Sequence, residues 1–421
     1  MDIRFIDLFA GIGGIRKGLE QAIIERGDKP VCVFTSEIKD YAVSVLLQNN
    51  PGETITGDIT KTDAPSIPDF DILCAGFPCQ AFSYAGKREG FADTRGTLFF
   101  DVERILSVKM PSGFILENVE GLVNHDNGHT LRVILHRLRS LGYKVSYRVL
   151  NSKHFGVPQE RKRIYIVGTR DEKVNLEDFP VTERKLKDIL EHGKPVSKTR
   201  FVKALLKRYK VSELYGKSIK DKRGGEDNIH SWELDMKGRT TKKEKELLNK
   251  ILTERRKRKW ADEYGIDWMD GMPLTKEMIK SFYTSNDLDE MLEKLVRLGY
   301  LVYEHPKKKV TEKGVSHREY DETLPKGYNI VTGKLSFEVN KILDPEDVAP
   351  TLVAMDMKKL YVGDGDGIRR LTLREGLRLF GYPEDFKFDV SEKDGFDLLG
   401  NTVVVPVIKA VSERLLNTIY H

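Results

Sequence analysis

Cys79 stands in the stretch AGFPCQAFS, just after the apolar run Ile72-Leu73-Cys74-Ala75 and the breakers Gly76 and Pro78. A cysteine placed there lies past the end of a strand on a constrained turn. A nearby helix N-terminus or cation would favour its thiolate, which is a nucleophile. An inert loop cysteine is the competing reading of any lone thiol, but two other segments share this placement. Phe114-Ile115-Leu116-Glu117-Asn118-Val119 is a strand that closes on a carboxylate, and Gln159-Glu160-Arg161-Lys162-Arg163 leads into the strand Ile164-Tyr165-Ile166-Val167. A nucleophile and a carboxyl group therefore fall at the edge where open α/β sheets bind ligands, and two guanidiniums stand just before a further strand. A structural ion pair between Glu117 and Arg161 is the plainer alternative.

A second loop carries binding rather than bond-making potential. Asp7-Leu8-Phe9-Ala10-Gly11-Ile12-Gly13-Gly14 follows a strand and opens a helix, and glycines there let the backbone approach a ligand at a helix N-terminus. The spacing is not G-x-G-x-x-G, and no G-K-[ST] ending makes it a Walker A loop; a tight strand-to-helix turn explains it equally well. Glu37 closes the next strand, where a carboxylate can accept from both ribose hydroxyls, and Asp58 in Gly57-Asp58-Ile59 can meet an adenine amino group. Together they suit a nucleoside without a required pyrophosphate, so S-adenosylmethionine fits better than NAD.

The elements that must position these residues are legible as a rhythm. Over the first 170 residues short apolar runs (FIDLF, VCVFTS, DILCA, GFILE, KVSYRVL, RIYIVG) alternate with amphipathic stretches, among them helices from about Ile15 and over Tyr41 to Asn49. Such βαβ alternation predicts an α/β domain, a mostly parallel Rossmann-like sheet with helices on both faces. From about Asp171 the rhythm stops and a charged, more helical region begins, which predicts a second, smaller domain. Near the end Gly400-Asn401-Thr402 leads into Val403-Val404-Val405-Pro406 and a periodic helix to Leu416, with the proline in its first turn. This helix is expected to return to the first domain. The boundaries drawn are 1–173 with 396–421 for the first domain and 174–395 for the second, with a variable insert at about 174–345.

Composition sets the class. The chain has 421 residues, 39% hydrophobic and 32% charged, enough for one or two large cores. No apolar run approaches the roughly 20 residues needed to span a bilayer, and the N-terminus enters a strand without a signal-peptide profile, so a cytoplasmic protein with no membrane contact is expected. Three cysteines, Cys32, Cys74 and Cys79, without C-x-x-C spacing argue against a disulfide framework or a structural zinc site. The net charge of +5 resides in the middle, where residues 171–345 hold 38 Lys/Arg against 32 Asp/Glu. Within it, Thr241 to Trp260 has nine basic and three acidic residues, a run that could meet a phosphate backbone or simply form a solvated helix face.

At these motifs the sequence resembles the cytosine-C5 DNA methyltransferases of bacterial and phage restriction–modification type. DLFAGIGG, GDIT, AGFPCQAFS, ENV, QERKR and GNTVVVPV occur in that family's order, across residues 1–170 and again from about Pro350. The region 174–345 falls where the family places its target-recognition domain.

The resemblance implies an S-adenosylmethionine-dependent DNA (cytosine-5)-methyltransferase that flips a cytosine out of double-stranded DNA and needs no metal. Cys79 is the implied nucleophile toward C6, Glu117 the group at N3, Arg163 the holder of O2, and Arg161 the residue that orients Glu117 and the cysteine loop. Phe9, Gly11, Ile12, Gly13, Glu37, Asp58, Ile59, Pro78, Leu98, Asn401 and Val403 fall on its cofactor positions. One departure is Ile38, where the family often has an aromatic residue stacked on adenine. Gln80 and Ser83 would close over the flipped base, and Thr351 matches a phosphate-contacting threonine, with a surface turn as its plain alternative. The implied protein is a monomer, with a cognate restriction endonuclease that acts on the same site without forming a stable complex. A tRNA cytosine-C5 methyltransferase would keep nearly all these motifs with a shorter insert; a catalytically silent DNA-binding member would have lost one of the four catalytic residues.

Inside the insert, apolar spacing over Leu274–Phe282 and Leu288–Leu298 predicts two short helices. The strand-like Tyr300-Leu301-Val302-Tyr303, a basic turn from Pro306 to Lys309 and a possible return strand follow. That order looks like a winged helix, with Lys307 and Lys308 as phosphate contacts; a helical brace without DNA contact is the alternative.

Overall fold

The structure, a computed structural model, describes all residues except 78–97, 223–224, 226, 268–270, 313–314, 333–336 and 355. The first half is built as the rhythm predicts: β1 (Asp2–Leu8), α1 (Gly14–Glu25), β2 (Lys29–Ser36), α2 (Asp40–Asn49), β3 (Ile55–Thr56), β4 (Ile72–Ala75), α3 (Leu98–Lys109), β5 (Gly113–Val119), α4 (His129–Ser140), β6 (Lys144–Asn151) and β7 (Lys162–Thr169). Seven strands form one sheet in the order β3-β2-β1-β4-β5-β7-β6. The pairs from β3 to β5 are parallel. β7 runs antiparallel to both β5 and β6. Its reversed direction has a consequence: the start of β7, with Arg163 opposite Val119, lies at the same edge as the ends of β1, β4 and β5.

One sheet face is closed by α3 and α4. Phe99, Val102, Ile105, Leu106, Leu131 and Leu135 are buried there against Leu73, Phe114, Leu116 and Ile166.

Two compact units emerge. The second comprises Gly193–Leu343 with Lys359–Arg370, whereas Asp344–Lys358 and Leu371–His421 belong with Met1–His192 in the first. Against the drawn boundaries of 174 and 395, the division falls later at the start and earlier at the end. The reason is local pairing: the Gly156 amide donates to the Thr182 carbonyl, the Thr182 amide to the His154 carbonyl, and the amides of Leu186 and Lys187 to Asp347 and Pro345, which holds 174–192 in the first unit.

The second unit contains α5 (Arg200–Leu206), α6 (Val211–Leu214), β8 (Ser218–Ile219), β9 (Asn228–Ile229), α7 (Lys242–Glu254), α8 (Lys259–Tyr264), α9 (Lys276–Lys280), α10 (Leu288–Arg297), β10 (Leu301–Glu304), β11 (Lys307–Glu312), β12 (Val315–Tyr320), β13 (Gly327–Ile330), β14 (Lys341–Ile342), β15 (Leu360–Asp364) and β16 (Gly367–Arg370). Thr241 and Glu244 form a reciprocal cap at the start of α7, and this helix buries Leu247, Leu248, Ile251 and Leu252. A five-stranded sheet, β16-β15-β14-β8-β9, packs a separate core of Val202, Leu205, Leu214, Ile342, Tyr361 and Ile368.

The chain then returns to the first unit with α11 (Leu373–Leu379), α12 (Glu392–Asn401) and α13 (Val405–Ile419). α13 closes the second face of the large sheet, touching β5, β7 and α1. The approach to α1 is close enough that a Cβ at Gly18 would lie 2.6 Å from Ile408. The segment Glu392–Ile419 has the length and apolar composition of a membrane span, a stretch that the sequence reading passed over. It is broken at Thr402–Val404, and 67% of its most apolar window is buried within the protein.

Candidate active site and cofactor loop

At the end of β5, Glu117 is 8% exposed. Burial pushes its carboxyl pKa up, and the nearby Arg163 and Arg161 charges only partly counter this. Its charged neighbour is Arg163, whose Nε lies 3.3 Å from Oε1. Strand register explains the pairing. Glu117 stands opposite Tyr165 and Val119 opposite Arg163, so Glu117 and Arg163 are diagonal neighbours on one face.

Arg161 does something different. Its guanidinium donates to the carbonyls of Leu352 (2.9 Å), Thr402 (2.9 Å) and Gly400 (3.3 Å) and lies over the Phe380 ring. Burial and the repulsion of Arg163 push its pKa down to about 9. The plainer alternative, an ion pair between Arg161 and Glu117, is not formed: Glu117 pairs with Arg163 instead. Arg161 ties the β7 entry to the returning chain, and Arg163 is the cation that meets the carboxylate.

Asn118 was quoted in its motif without a role. Its amide donates to the carbonyl of Phe77 at 3.2 Å, and its oxygen accepts from the Val119 amide. It thereby fixes the stem of the segment that carries Cys79. Pro78, Cys79, Gln80 and Ser83 themselves lie outside the described residues. Thr351 is exposed and donates its hydroxyl to the Glu160 carbonyl at 2.7 Å. With Arg163, Lys162, Gly121 and Pro350 it lines a cleft of about 470 Å³ at this edge.

The glycine loop sits at the end of β1. Phe9, Gly11 and Gly13 all take positive φ, of 56°, 56° and 78°. For Phe9 this is a strained conformation, held by its packing against the core. Glu37 shapes the loop: Oε2 accepts from the Gly11 amide at 2.7 Å, and Oε1 accepts from the amides of Ile38 and Lys39. A Cβ at Gly11 would meet nothing within 4 Å, so the space before the loop is open. Beside it Ile38 is 71% exposed, an apolar surface without a protein partner to cover it. Ile12 is buried under the loop.

Two of the remaining expected cofactor residues, Val403 and Asn401, connect to this loop or to the residues after Glu37. Val403 reaches it directly, because a Cβ at Gly14 would lie 2.7 Å from the Val403 side chain. Asn401 is linked through Asp397, which accepts from Asn401, from Lys39 Nζ at 2.8 Å and from Tyr41 at 2.6 Å. Asp58 caps a short 3-10 turn, Ile59–Lys61, accepting from the Thr60 amide and hydroxyl; those bonds hold its carboxyl below the usual range. Ile59 is buried and Leu98 begins α3, half-buried.

Asp7 shows what the motif reading missed. It is fully buried, and neither carboxylate oxygen has a hydrogen-bond partner among the described residues. Burial raises its pKa to about 7, with the Arg16 charge partly opposing.

In the second unit, Lys307 and Lys308 were expected in a turn; they open strand β11 instead, paired with Tyr320 and Glu319. Arg255, within the basic run from Thr241 to Trp260, is 3% exposed and bonded to Asn329 and the Lys222 carbonyl, so it cannot contact a backbone phosphate from the surface.

The family model for C-5 cytosine-specific DNA methylases matches residues 3–417. The chain belongs to that family. This methylase is 62% identical to the Type II methyltransferase M.NlaIV of Neisseria lactamica over 424 aligned positions, covering 99% of each chain. It is 61% identical to M.NgoBV of Neisseria gonorrhoeae, with the same coverage. Among solved structures, the Entamoeba histolytica methyltransferase EhMeth shares the fold at a TM-score of 0.56 and 14% identity, covering 100% of both chains. The S. pombe Dnmt2 methyltransferase does so at 0.52 and 17%, again over 100% of both chains. The protein is thus a methyltransferase acting on C5 of cytosine in DNA, on a Rossmann-like scaffold.

Proposed function

We propose that the methylase modifies one cytosine within a specific duplex sequence through a covalent bond between Cys79 and C6, with S-adenosylmethionine as methyl donor. The observation that carries this reading is the buried Glu117, its pKa pushed up by burial, with Arg163 at 3.3 Å, at the edge whose neighbouring strand leads into Cys79.

The glycine loop fits the donor. Open space at Gly11, the exposed face of Ile38, and the carboxylates of Glu37 and Asp58 suit a nucleoside of that size and polarity. Phe9, Ile12, Gly13, Ile59, Pro78, Leu98, Asn401 and Val403 would complete the pocket. When bound, S-adenosylmethionine supplies an electrophilic methyl group.

The chain's own residues do the rest. Extruding the target base from the stack costs a few kcal/mol, offset by pocket contacts to which Gln80 and Ser83 contribute. The Cys79 thiolate adds to C6, and the displaced ring electrons move toward N3, where Glu117 shares its proton. C5 becomes enamine-like and nucleophilic. Arg163 holds O2, and Arg161 keeps the β7 entry aligned. After methylation a water molecule takes the C5 proton, its bonding electrons reform the C5–C6 double bond, Cys79 departs as the thiolate, and the shared proton at N3 returns to Glu117.

The second unit would read the sequence, with Thr351 on a phosphate. The full-length relatives named as Type II methyltransferases support a restriction–modification setting, in which a cognate endonuclease acts on the same site without stable association. The same setting supports a monomer working in the cytoplasm.

The test is a duplex with 5-fluorocytosine at the target. The fluorine cannot leave as the proton does, so the wild type should be trapped covalently, and Cys79→Ala should neither trap nor turn over. Methyl transfer by the alanine variant would sink the covalent route. Parallel assays on duplex DNA and tRNA separate the DNA reading from its RNA-modifying rival.

A further inference from the structure

The second unit gathers α7, α9 and α10 on one core with Tyr300, Leu301 and Ile330. β13 lies between β10, its antiparallel partner, and Leu274, which bridges to Tyr328. Apart from the extra short helix α8 after α7, the order helix, short strand at Leu274, two helices, strand, hairpin, strand is that of a winged helix, and α10 occupies the place of the helix that ordinarily enters the major groove. Its exposed side is wrong for that task. Asp289, Glu290 and Glu293 are exposed there beside the single exposed cation Arg297; Lys276 pairs with Asp289 at 3.1 Å, and the Lys294 ammonium is turned to Glu244 at 2.9 Å, which leaves Glu290 and Glu293 dominating the face. An acidic face is repelled by phosphates.

The hairpin β11–β12 has two unlike faces. Side chains alternate along a strand, so Lys307, Lys309, Arg318 and Tyr320 share one face while Lys308 and Glu319 share the other. The second face is neutralised within the protein: Lys308 Nζ is 3.6 Å from Asp321, and His317 Nε2 is 2.7 Å from Glu319. On the first face, Lys309 stands directly opposite Arg318. Both are exposed, and neither has an ion pair among the described residues. Like charges directly opposite destabilise a ladder, so this pair opposes hairpin formation unless an anion covers it. Lys307 Nζ lies 4.7 Å from the centre of the Tyr320 ring. The same face borders a cleft of about 480 Å³ that includes His305 and Asn329.

We propose that the DNA backbone is held by the Lys307–Lys309–Arg318 face of this hairpin, and that α10 is a structural helix that does not enter a groove. The unit is a winged helix that binds with its wing. This rests on the reading of the second unit as the DNA-recognising part, and the test keeps the two apart.

Binding of the full-length protein to cognate and unrelated duplexes is measured across a salt series. Lys309→Ala with Arg318→Ala should weaken both complexes alike and reduce the slope of log K against log salt by up to about two. The thermal midpoint should hold or rise, because a repulsive pair is removed; a purely structural role would lower it. Glu290→Gln with Glu293→Gln should leave the methylated sequence unchanged. An unaltered slope in the first double variant overturns the proposal, as does a changed methylation site in the second. Lys308→Ala separates the two faces: a slope change as large as that of Lys309→Ala refutes the face assignment. Exchange of residues 193–343 for a relative's tests the wider reading. If exchange moves the site while Lys309→Ala with Arg318→Ala binds as wild type, only the hairpin assignment falls.

Discussion

The side-chain amide of Asn118 reaches across from β5 to donate to the carbonyl of Phe77 at 3.2 Å. This bond joins the strand bearing Glu117 to the last described residue before the Cys79 segment. Asn118→Asp places a carboxylate against that carbonyl, at a cost of about 1–3 kcal/mol for a buried polar group left without its partner. We expect kcat to fall at least tenfold with little change in the cofactor dissociation constant. Single-turnover kinetics beside calorimetry will show it, and an unchanged kcat would remove Asn118 from the site.

Glu117 has a raised pKa because burial disfavours its charge. Its working form is protonated, so that form is present below the folded-state pKa and is lost as pH rises through it. The wild-type rate of adduct formation should therefore decline on the alkaline side, with an inflection above the ordinary carboxylate range. Glu117→Gln should be slower by about 10²–10⁴ and lack that inflection. Retention of the inflection in the glutamine variant would assign it to another group.

Asp58 caps a turn and is proposed to bind the cofactor, and the two roles separate experimentally. Asp58→Ala should lower global stability slightly through loss of the cap on the short turn Ile59–Lys61. It should also weaken S-adenosylmethionine binding by about 1–3 kcal/mol, the usual worth of a hydrogen bond to a polar ligand group. Calorimetric titration of the folded variant checks the second effect; an unchanged dissociation constant leaves Asp58 a cap alone.

Asp7 offers a stability prediction with a defined sign. Its folded pKa is about 7, against 3.8 for an ordinary aspartate. Between those values the folded state binds the extra proton, so stability decreases as pH rises through the window, and the cost is complete above about 7. At one pKa unit per 1.36 kcal/mol that cost is on the order of 4 kcal/mol. Asp7→Asn, which removes the ionisation, should raise the thermal midpoint more at pH 8 than at pH 5. Equal shifts at both pH values would show that the carboxyl is not buried unpaired.

How much was readable in advance follows from which forces act locally. The strands ending at Leu8, Ala75 and Val119, and helix α13 with Pro406 in its first turn, follow from apolar period and capping chemistry, which neighbours along the chain decide. Strand direction does not. Nothing in RIYIVG says that β7 runs against β5, yet that direction brings Arg163, rather than Arg161, to Glu117. The carbonyl partners of Arg161 come from residues 191 and more positions away, beyond the reach of spacing. Lys307 to Lys309 read as a turn because three lysines after a proline have little strand propensity; the ladder to β12 overrides it. Asp7 is charged and adjoins a glycine loop, so its sequence points to a ligand, and only burial reveals it as a liability to the fold.

The first unit is assembled from three separated stretches of chain, with α13 packed on α1 and on the central strands. During synthesis this has a temporal meaning. At about 5–20 residues per second, β1 and α1 leave the ribosome long before the helix that covers them, and the whole second unit is made in between. Until residues beyond Leu371 emerge, one face of the sheet lacks α13, and Arg161 lacks the carbonyls of Gly400 and Thr402. A nascent chain therefore lacks a completed first unit until its last helix docks, and the uncovered sheet face is the surface on which a chaperone would act.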